Sequence, residues 1–317
     1  MQHKYDFQTG EDALFPRIVH VETTNVCNIK CIHCPQADPY NLVPDYKPQH
    51  MSFNVWKKVV DEVTEYGHVL RLTPDGEPVL SNQWIEQMDY ALKNNVRLIT
   101  FNTNGLLLDG ERLEVLLQKT QSKIAIEFSL DALWKTSYDR IRVGSDYNTV
   151  LRNIFNIKKK IGERNIHNIK LLVSCVVQPE IEKNEYELFE KFWTPIVDKV
   201  IKRRYVDTKG IMPKKYNDES SDSNRWPCIV LFTRLVVTYD GTVRFCPDDW
   251  EKKTIIGNLA ETTIRKIWIG DTIKKLRTAH INRDFVNSHA VCNKCTDWKV
   301  IEWGNDYTKA LNDLFGE

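Results

Sequence analysis

Long apolar segments are missing from this sequence. Its longest hydrophobic runs, such as residues 228–232, are far shorter than the roughly 18–20 residues that a membrane-spanning helix needs. Residues 1–16 also lack the apolar core of a secretory signal. We therefore expect a cytoplasmic protein without a membrane segment. In a reducing compartment its eight cysteines are expected to act as ligands or free thiols, since disulfides are rare there.

Neither sign of charge is in excess. The 317 residues contain 44 Lys and Arg against 43 Asp and Glu, which gives a net charge of +1. This balance disfavours a nucleic-acid partner and a polybasic membrane surface. Internal repeats and low-complexity tracts are absent from the sequence, and 42% of the residues are hydrophobic. The composition indicates a globular chain of about two domains.

The first two thirds of the chain alternate between predicted strands and helices. Strands are predicted at 18–23, 68–73, 97–103, 123–130, 169–177 and 199–206. Such alternation is typical of right-handed βαβ units and a parallel sheet. Six units are fewer than the eight of a closed TIM barrel. The predicted fold class is therefore α/β, with a partial (βα)6 TIM-like barrel at 17–208 after an N-terminal arm at 1–16.

The composition changes after the sixth predicted strand. Residues 209–227 are rich in turn-forming and charged residues, which predicts a linker. A β-hairpin is predicted beyond it, with strands at 231–238 and 242–245 joined by an Asp-Gly turn. Helices are predicted at 261–280 and after about 298. The sequence thus predicts a small C-terminal α+β domain at 228–317.

Three cysteines follow the first predicted strand directly. Cys27, Cys31 and Cys34 have the spacing C-x3-C-x2-C. Three thiolates on one short loop can hold three corners of a cuboidal [4Fe–4S] cluster and leave the fourth iron open. A structural zinc site is the alternative. It normally needs four protein ligands, and His33 is a poor fourth because its neighbour Cys34 would already bind the ion.

This loop and the partial-barrel pattern around it resemble the radical S-adenosylmethionine (SAM) superfamily. The resemblance implies that SAM binds the open iron through its amino and carboxylate groups. It also implies reductive cleavage of SAM to methionine and a 5′-deoxyadenosyl radical, which abstracts a hydrogen atom from the substrate. An external one-electron reductant such as flavodoxin or ferredoxin is then a partner.

Segments at the predicted strand ends resemble the SAM contacts of this superfamily. Asp75-Gly76-Glu77-Pro78 resembles its usual Gly-Gly-Glu-Pro, with Asp75 in place of the first glycine. The resemblance implies five cofactor-binding residues: Gly76, Glu77, Thr103, Ser129 and Lys170. Lys170 differs from the others because it stands at the start of its predicted strand, whereas parallel sheets bind ligands at the carboxyl ends.

A second set of cysteines lies in the C-terminal region. Cys228 and Cys246 flank the predicted hairpin, and Cys292 and Cys295 form a C-x2-C pair. Four thiolates can hold a second [4Fe–4S] cluster or one zinc ion. The spacing resembles the SPASM extension of the radical SAM superfamily in its shortened, twitch form. That resemblance implies an auxiliary [4Fe–4S] cluster in this domain.

Three further residues are candidates for contact with the substrate. Cys175 is the eighth cysteine, and strand parity places it on the face opposite Lys170, which favours a buried structural thiol. Arg203 and Arg204 are adjacent in the sixth predicted strand, so one of them should face inward. An inward arginine could bind an anionic group or act on a substrate hydroxyl.

The resemblance implies one of a few reactions. We expect oxidation of a hydroxyl-bearing carbon in a small carbohydrate or aminocyclitol, with the auxiliary cluster accepting an electron. The alternatives are an epimerase, in which Cys175 would return a hydrogen atom, and a peptide-modifying maturase. Only 26 residues precede Cys27, fewer than the peptide-recognition domain of many maturases. A non-catalytic zinc protein is the alternative from a different class.

Overall fold

The structure is a computed structural model. It describes residues 14–43, 45–73, 75–216, 225–293, 295–299, 303 and 307–316. The N-terminal arm predicted at 1–16 and the linker predicted at 209–227 lie partly outside these ranges. Across the ranges that are described, no helix combines the length and the apolar character needed to cross a membrane.

The described part of the chain contains eleven strands. They are β1 (Ile18–Val21), β2 (Lys30–Cys31), β3 (Val69–Leu72), β4 (Leu98–Thr103), β5 (Lys123–Ser129), β6 (Arg142–Val143), β7 (Ile169–Val177), β8 (Lys199–Arg204), β9 (Arg234–Val237), β10 (Thr242–Arg244) and β11 (Ile255–Asn258). Nine form one sheet in the order β11-β10-β9-β1-β3-β4-β5-β7-β8. From β9 to β8 in this order, each strand runs parallel to the next. The six predicted strands and the partial barrel are confirmed.

Helices join these strands and cover the outer face of the sheet. They are α1 (Pro39–Leu42), α2 (Phe53–Tyr66), α3 (Trp84–Lys93), α4 (Gly110–Glu114), α5 (Lys135–Ile141), α6 (Tyr147–Glu163), α7 (Glu185–Trp193), α8 (Val230–Thr233), α9 (Ile264–Trp268), α10 (Asp271–Ile281), α11 (Phe285–Ser288), α12 (Ala290–Asn293) and α13 (Tyr307–Phe315). Helix α2 begins after Ser52, whose side chain caps the helix by accepting a hydrogen bond from the Val55 N–H.

Two apolar layers lie on the two faces of the barrel strands. On the outer face, Val19 and Val21 of β1 pack in a large core with residues of α2 such as Trp56. On the inner face, Ile18, Val69 and other strand residues pack against Leu311 of α13. Helix α13 therefore closes the end of the barrel at which the strands begin. The end at which the strands finish is left for the loops.

The predicted hairpin joins the barrel sheet. Strand β9 lies parallel to β1, while β10 and β11 continue the sheet in antiparallel fashion. Residues 231–233 belong to helix α8 and not to a strand, because the Thr233 hydroxyl donates to the Ile229 carbonyl. A short apolar run does not by itself distinguish helix from strand. The helix predicted at 261–280 is two helices, which meet at Gly270.

Candidate active site

The loop after β1 brings three free thiols together. Cys31 is buried and Cys27 and Cys34 are half-buried. Strand β2 within the loop pairs with β6, which fixes the position of Cys31. Burial, together with the charges of Glu77 and the neighbouring Cys31, raises the pKa of Cys27 to about 12. Burial, Cys31 and Cys27 likewise raise the pKa of Cys34. The three sulfur atoms thus lie close enough to influence one another, as ligands of one cluster must.

Arg142 is a cationic neighbour of this loop that the sequence did not indicate. Its Nη1 lies 3.5 Å from the Cys31 Sγ, and its Nη2 forms a buried ion pair with Asp131. His33 Nε2 lies 3.5 Å from the same Asp131, while its Nδ1 lies 3.2 Å from the Gln178 amide. Burial lowers the pKa of His33 to about 4. A neutral His33 therefore belongs to a buried polar network beside the cysteines, and Arg142 favours the thiolate form of Cys31.

The loop after β3 is anchored to the cysteine loop and to the end of β4. The Glu77 carboxylate accepts hydrogen bonds from the Thr103 hydroxyl at 2.8 Å and from the Asn104 N–H at 2.7 Å. The Glu77 N–H donates to the Val26 carbonyl at 2.7 Å. Burial raises the pKa of Glu77 to about 7, although these hydrogen bonds oppose the shift. Gly76, Glu77 and Thr103 thus meet beside the cysteines.

The other two predicted SAM contacts lie at opposite ends of their strands. Ser129 is the last residue of β5 and pairs with Ser174, at the same edge as Thr103. Lys170 is the second residue of β7 and forms an ion pair with Asp198 at 3.2 Å. The structure does not bring Lys170 to the site, because that end of the barrel is closed by α13. The family resemblance predicted a basic residue in this strand, but Lys170 lies at the end of the strand that is away from the cysteine loop.

The two predicted arginines of β8 have different surroundings. Arg203 faces inward, is partly buried, and donates from both Nε and Nη2 to one carboxylate oxygen of Glu127 on β5. Arg204 is exposed. Glu127 is also approached by Arg71 of β3, whose Nη2 is 3.8 Å away. Parity therefore selects Arg203 as the inward residue, and its partner Glu127 is a residue that the sequence did not indicate.

Cys175 lies on the outer face of β7. It is 1% exposed and packs in the apolar core between the sheet and the helices. The structure therefore supports Cys175 as a buried structural thiol.

The four C-terminal cysteines are also brought together. Burial raises the pKa values of Cys228, Cys246, Cys292 and Cys295, and the charge of Cys228 raises those of the other three. Four thiols in one region can hold a [4Fe–4S] cluster or one zinc ion.

Lys209 links this second set of cysteines to the barrel. Its ammonium group lies 3.7 Å from the Cys246 Sγ and 2.9 Å from Asp297. It also donates to the Asp248 carbonyl at 2.9 Å. The sequence assigned Lys209 to a linker, because its partners lie about 40 or more residues further along the chain. A buried cation here favours the thiolate form of a cluster ligand.

A cavity of about 460 Å³ lies between the edge of β8 and the segment that leads into β9. Its barrel side includes Leu172, Arg203 and Tyr307. Its other side includes Asp248 and Asp297, each two residues after a cysteine of the second set. The volume is typical of a small-molecule site. The cavity thus extends from the barrel interior to the second set of cysteines.

Two family models match the chain. One, the radical SAM superfamily, matches residues 21–182, and the other, an iron–sulfur cluster-binding domain, matches residues 228–296. Among curated proteins, Fe-coproporphyrin III synthase of Methanosarcina barkeri is 25% identical over 171 residues. The match covers 50% of this chain and 41% of that enzyme. The chain therefore spans less than half the length of this relative.

Solved structures share the fold at low identity. BtrN in complex with AdoMet and 2-DOIA has a TM-score of 0.56 at 17% identity, over 88% of this chain and 92% of BtrN. Streptococcus suis SuiB bound to precursor peptide SuiA has a TM-score of 0.68 at 15% identity, over 94% of this chain and 73% of SuiB. At these identities the similarity shows the fold alone.

The residues present fit the cofactors of this family. Three neighbouring thiols on the loop beside Gly76 and Glu77 provide a site for a SAM-binding cluster. Four more thiols lie within the region matched by the cluster-binding model. The cofactors are accordingly SAM and [4Fe–4S] clusters. With a family model matched over half of its length and this loop at the end of β1, the chain belongs to the radical SAM superfamily.

Proposed function

We propose that the enzyme oxidises a hydroxyl-bearing carbon of a small carbohydrate or aminocyclitol to a ketone. The cavity carries the proposal, because it has barrel residues on one side and residues next to Cys246 and Cys295 on the other. A substrate held there would lie beside the second set of cysteines, with the inward Arg203 on its barrel side. An oxidation with an auxiliary electron acceptor requires this arrangement, whereas a reaction at the SAM site alone does not.

When bound, SAM and its cluster supply hydrogen-atom abstraction, and the second cluster supplies an electron acceptor. Alcohol oxidation removes one hydrogen atom, one proton and one electron from the substrate. The SAM-derived group would take the hydrogen atom, a cluster held by the second set of cysteines would take the electron, and a protein group or water would take the proton. An external reductant such as flavodoxin or ferredoxin starts the reaction.

The inner wall of the barrel is polar where a substrate would lie. A charged network lies above the apolar layer of α13, formed by the buried Glu127 and Arg71 and the partly buried Arg203. Buried polar groups of this kind suit a ligand with several hydroxyl groups, since each hydroxyl both donates and accepts. They suit a purely aliphatic side chain poorly.

A precursor peptide is the second candidate substrate. SuiB, whose structure is known with precursor peptide SuiA, shares the fold over 94% of this chain. The cavity is bordered by the edge strand β8, so a peptide could reach it from the side. The epimerase alternative has less support, since Cys175 faces the outer core and could not return a hydrogen atom to a ligand inside the barrel.

Product analysis tests the proposal. The reconstituted, reduced enzyme is incubated anaerobically with SAM and carbon-deuterated polyols, aminocyclitols or peptides. We expect deuterium in 5′-deoxyadenosine together with a ketone from a polyol or aminocyclitol. Deuterium transfer only from a peptide, or 5′-deoxyadenosine without a ketone from any polyol, would overturn the proposal.

Two matched cysteine variants sharpen this experiment. Cys246→Ala removes a ligand of the second cluster, so it should retain SAM cleavage and lose ketone formation. Cys175→Ala also removes a buried thiol, but one in the outer core, and should retain ketone formation. A redox-neutral product that Cys175→Ala abolishes would instead indicate an epimerase.

A further inference from the structure

The inner faces of β1 and β3 carry three polar side chains side by side. His20 and Glu22 alternate with Val19 and Val21, which face the outer core, so both point into the barrel. His20 is paired in register with Arg71 of β3. The three residues form a polar layer above Ile18 and Val69, which pack against α13.

These side chains are buried with their hydrogen-bonding capacity unused. His20 is 5% exposed and Glu22 is fully buried. Within the described part of the chain, both ring nitrogens of His20, both carboxylate oxygens of Glu22 and the Nη1 of Arg71 have no hydrogen-bond partner. Glu22 Oε2 lies 3.8 Å from Arg244 Nη2, which is an ion pair but too long for a hydrogen bond. Buried polar groups are almost always satisfied, so these groups indicate a ligand.

Arg71 is held in one orientation. Its guanidinium stacks 3.8 Å from the ring centroid of Tyr307. Its Nη2 donates to the Asn102 side chain at 2.8 Å. These contacts leave Nη1 as the donor in a fixed position. Tyr307 also lines the cavity, so Arg71 is separated from that space by this one ring.

The unused groups define the chemistry of the ligand. Burial and the charge of Arg71 lower the pKa of His20, so its ring is neutral, with one donor and one acceptor. Burial and the charge of Asp75 raise the pKa of Glu22 to about 8, so its carboxyl group can both donate and accept, and Arg71 offers a donor. A ligand that satisfies all three must donate and accept at adjacent atoms, as neighbouring hydroxyl groups do. An aliphatic side chain would leave every one of these groups unsatisfied.

We propose that His20, Glu22 and Arg71 form a recognition site for adjacent hydroxyl groups of a small polyol. The inference rests on the proposed function and names the substrate class and the specificity-determining residues of the same site. It distinguishes a carbohydrate or cyclitol from an aliphatic peptide side chain.

Binding to the unreduced holoenzyme tests the inference without turnover. Anaerobic calorimetry in the presence of SAM would compare myo-inositol, a 2-aminocyclitol, a hexose and an aliphatic tripeptide. We expect at least one of the three polyols to bind. His20→Leu should weaken that binding at least tenfold, whereas His167→Leu, at an exposed histidine before β7, should leave it unchanged.

A second readout separates ligand recognition from a structural role. His20→Leu should keep or raise the melting temperature of the ligand-free holoenzyme, because it replaces an unsatisfied buried group by an apolar one. A structural histidine would lower that temperature. Arg71→Lys decides the matter if His20→Leu does not fold, since it keeps the charge but loses the fixed Nη1 donor. Polyol affinity that is unchanged in Arg71→Lys would overturn the inference.

The outcomes also distinguish the inference from the proposed function. If polyol binding depends on His20 but no ketone is formed, the result contradicts the proposed oxidation and supports the recognition site. Ketone formation with a KM that His20→Leu does not change would contradict the recognition site alone. Failure of all three polyols to bind, with binding of the tripeptide, would contradict both.

Discussion

Gly76 lies against two carbonyl oxygens of the cysteine loop. Its φ is +70°, and a Cβ at this position would meet the Thr24 carbonyl and would lie 2.8 Å from the Val26 carbonyl oxygen. Glycine is therefore required at position 76 for two reasons: the backbone is left-handed, and the carbonyl oxygens leave no room for a Cβ. Asp75, in contrast, carries a side chain where the family usually has glycine, because it points to Arg244.

We expect Gly76→Ala to weaken SAM binding at least tenfold and to lower the free energy of unfolding by more than the left-handed conformation alone costs, about 1–2 kcal/mol. Gly67→Ala is the matched control, since Gly67 has a φ of +67° and a Cβ added there would meet nothing within 4 Å. Equilibrium dialysis of SAM and urea unfolding of both variants measure the difference. Equal losses in the two variants would contradict the role of the carbonyl contacts.

His20 gives a prediction for the dependence of stability on pH. Burial lowers its pKa well below 6.5, and the positive charges of Arg71, Arg234 and Arg244 lower it further. As the pH falls through 6.5, the unfolded chain binds a proton that the folded chain does not bind. The free energy of unfolding therefore decreases at low pH, by about 1.4 kcal/mol at one unit below 6.5.

His20→Leu should remove this contribution. As the pH falls from 7.5 to 5.5, the native protein should therefore lose stability that His20→Leu keeps. The free energy of unfolding of the variant should rise relative to that of the native protein. Urea unfolding of both proteins at several pH values measures it. Other buried histidines such as His33 and His280 are present in both proteins and cancel in the difference. A difference that is independent of pH would show that His20 titrates normally.

Among the elements, helix α13 closes the barrel at the end where its strands begin. Leu311 is fully buried and packs with Ile18, Leu98 and Leu172, which belong to three different strands. The same helix presents Tyr307 to Arg71 at the level of the polar layer. One helix thus supports both the apolar base of the barrel and the orientation of an inward arginine.

We expect Leu311→Ala to lower the free energy of unfolding by about 2–4 kcal/mol, because it leaves a cavity among strand residues that cannot collapse to fill it. Asp313→Ala, on the exposed face of the same helix, should change it by less than about 0.5 kcal/mol. Thermal unfolding compares the two. Similar small effects would show that α13 does not pack in the barrel.

For the whole molecule, Arg244 joins the SAM-site loop to the C-terminal cysteines. It is fully buried on β10, two residues before Cys246. Its Nη2 lies 3.2 Å from Asp75 and 3.8 Å from Glu22, and its Nη1 donates to the Asp249 carbonyl. The loops of the two cofactor sites therefore share one buried ion network.

A double-mutant cycle measures this link. Removing one partner of a buried ion pair leaves the other charge uncompensated, so Asp75→Gly should be strongly destabilising in the native background. In an Arg244→Met background the same change should cost about 1–3 kcal/mol less. The exposed pair Lys57–Asp61, at 2.7 Å, is the control and should show a coupling of about 0.5 kcal/mol or less. Additive effects of Asp75 and Arg244 would contradict the link.

Metal content tests the two cysteine sets together. After anaerobic reconstitution we expect about eight irons per chain, and about four in a variant with Cys27, Cys31 and Cys34 replaced by Ala. Iron and zinc analysis of both proteins gives the result. About four irons that fall to none, with zinc retained, would show that the second set binds zinc and would remove the electron acceptor from the proposed oxidation.

Structural features that depend on residues near one another in the chain could be predicted from the sequence. The spacing of Cys27, Cys31 and Cys34 indicated the first cluster, and hydrophobic periodicity located all six barrel strands. Lys170 shows the limit of such patterns. Periodicity placed it in a strand, but its contacts depend on which end of the barrel it occupies, and α13 closes that end.

The sequence by itself determined the fold class, the two cysteine sets and the loop at Gly76, because each depends on residues that are near one another in the chain. Only the tertiary structure decided which side chains meet inside the barrel. His20 and Arg71 become neighbours through the register of β1 and β3, and Arg244 reaches Asp75 across 169 residues. Sheet register and buried ion pairing are set by the packing of the whole molecule, and no local pattern encodes them.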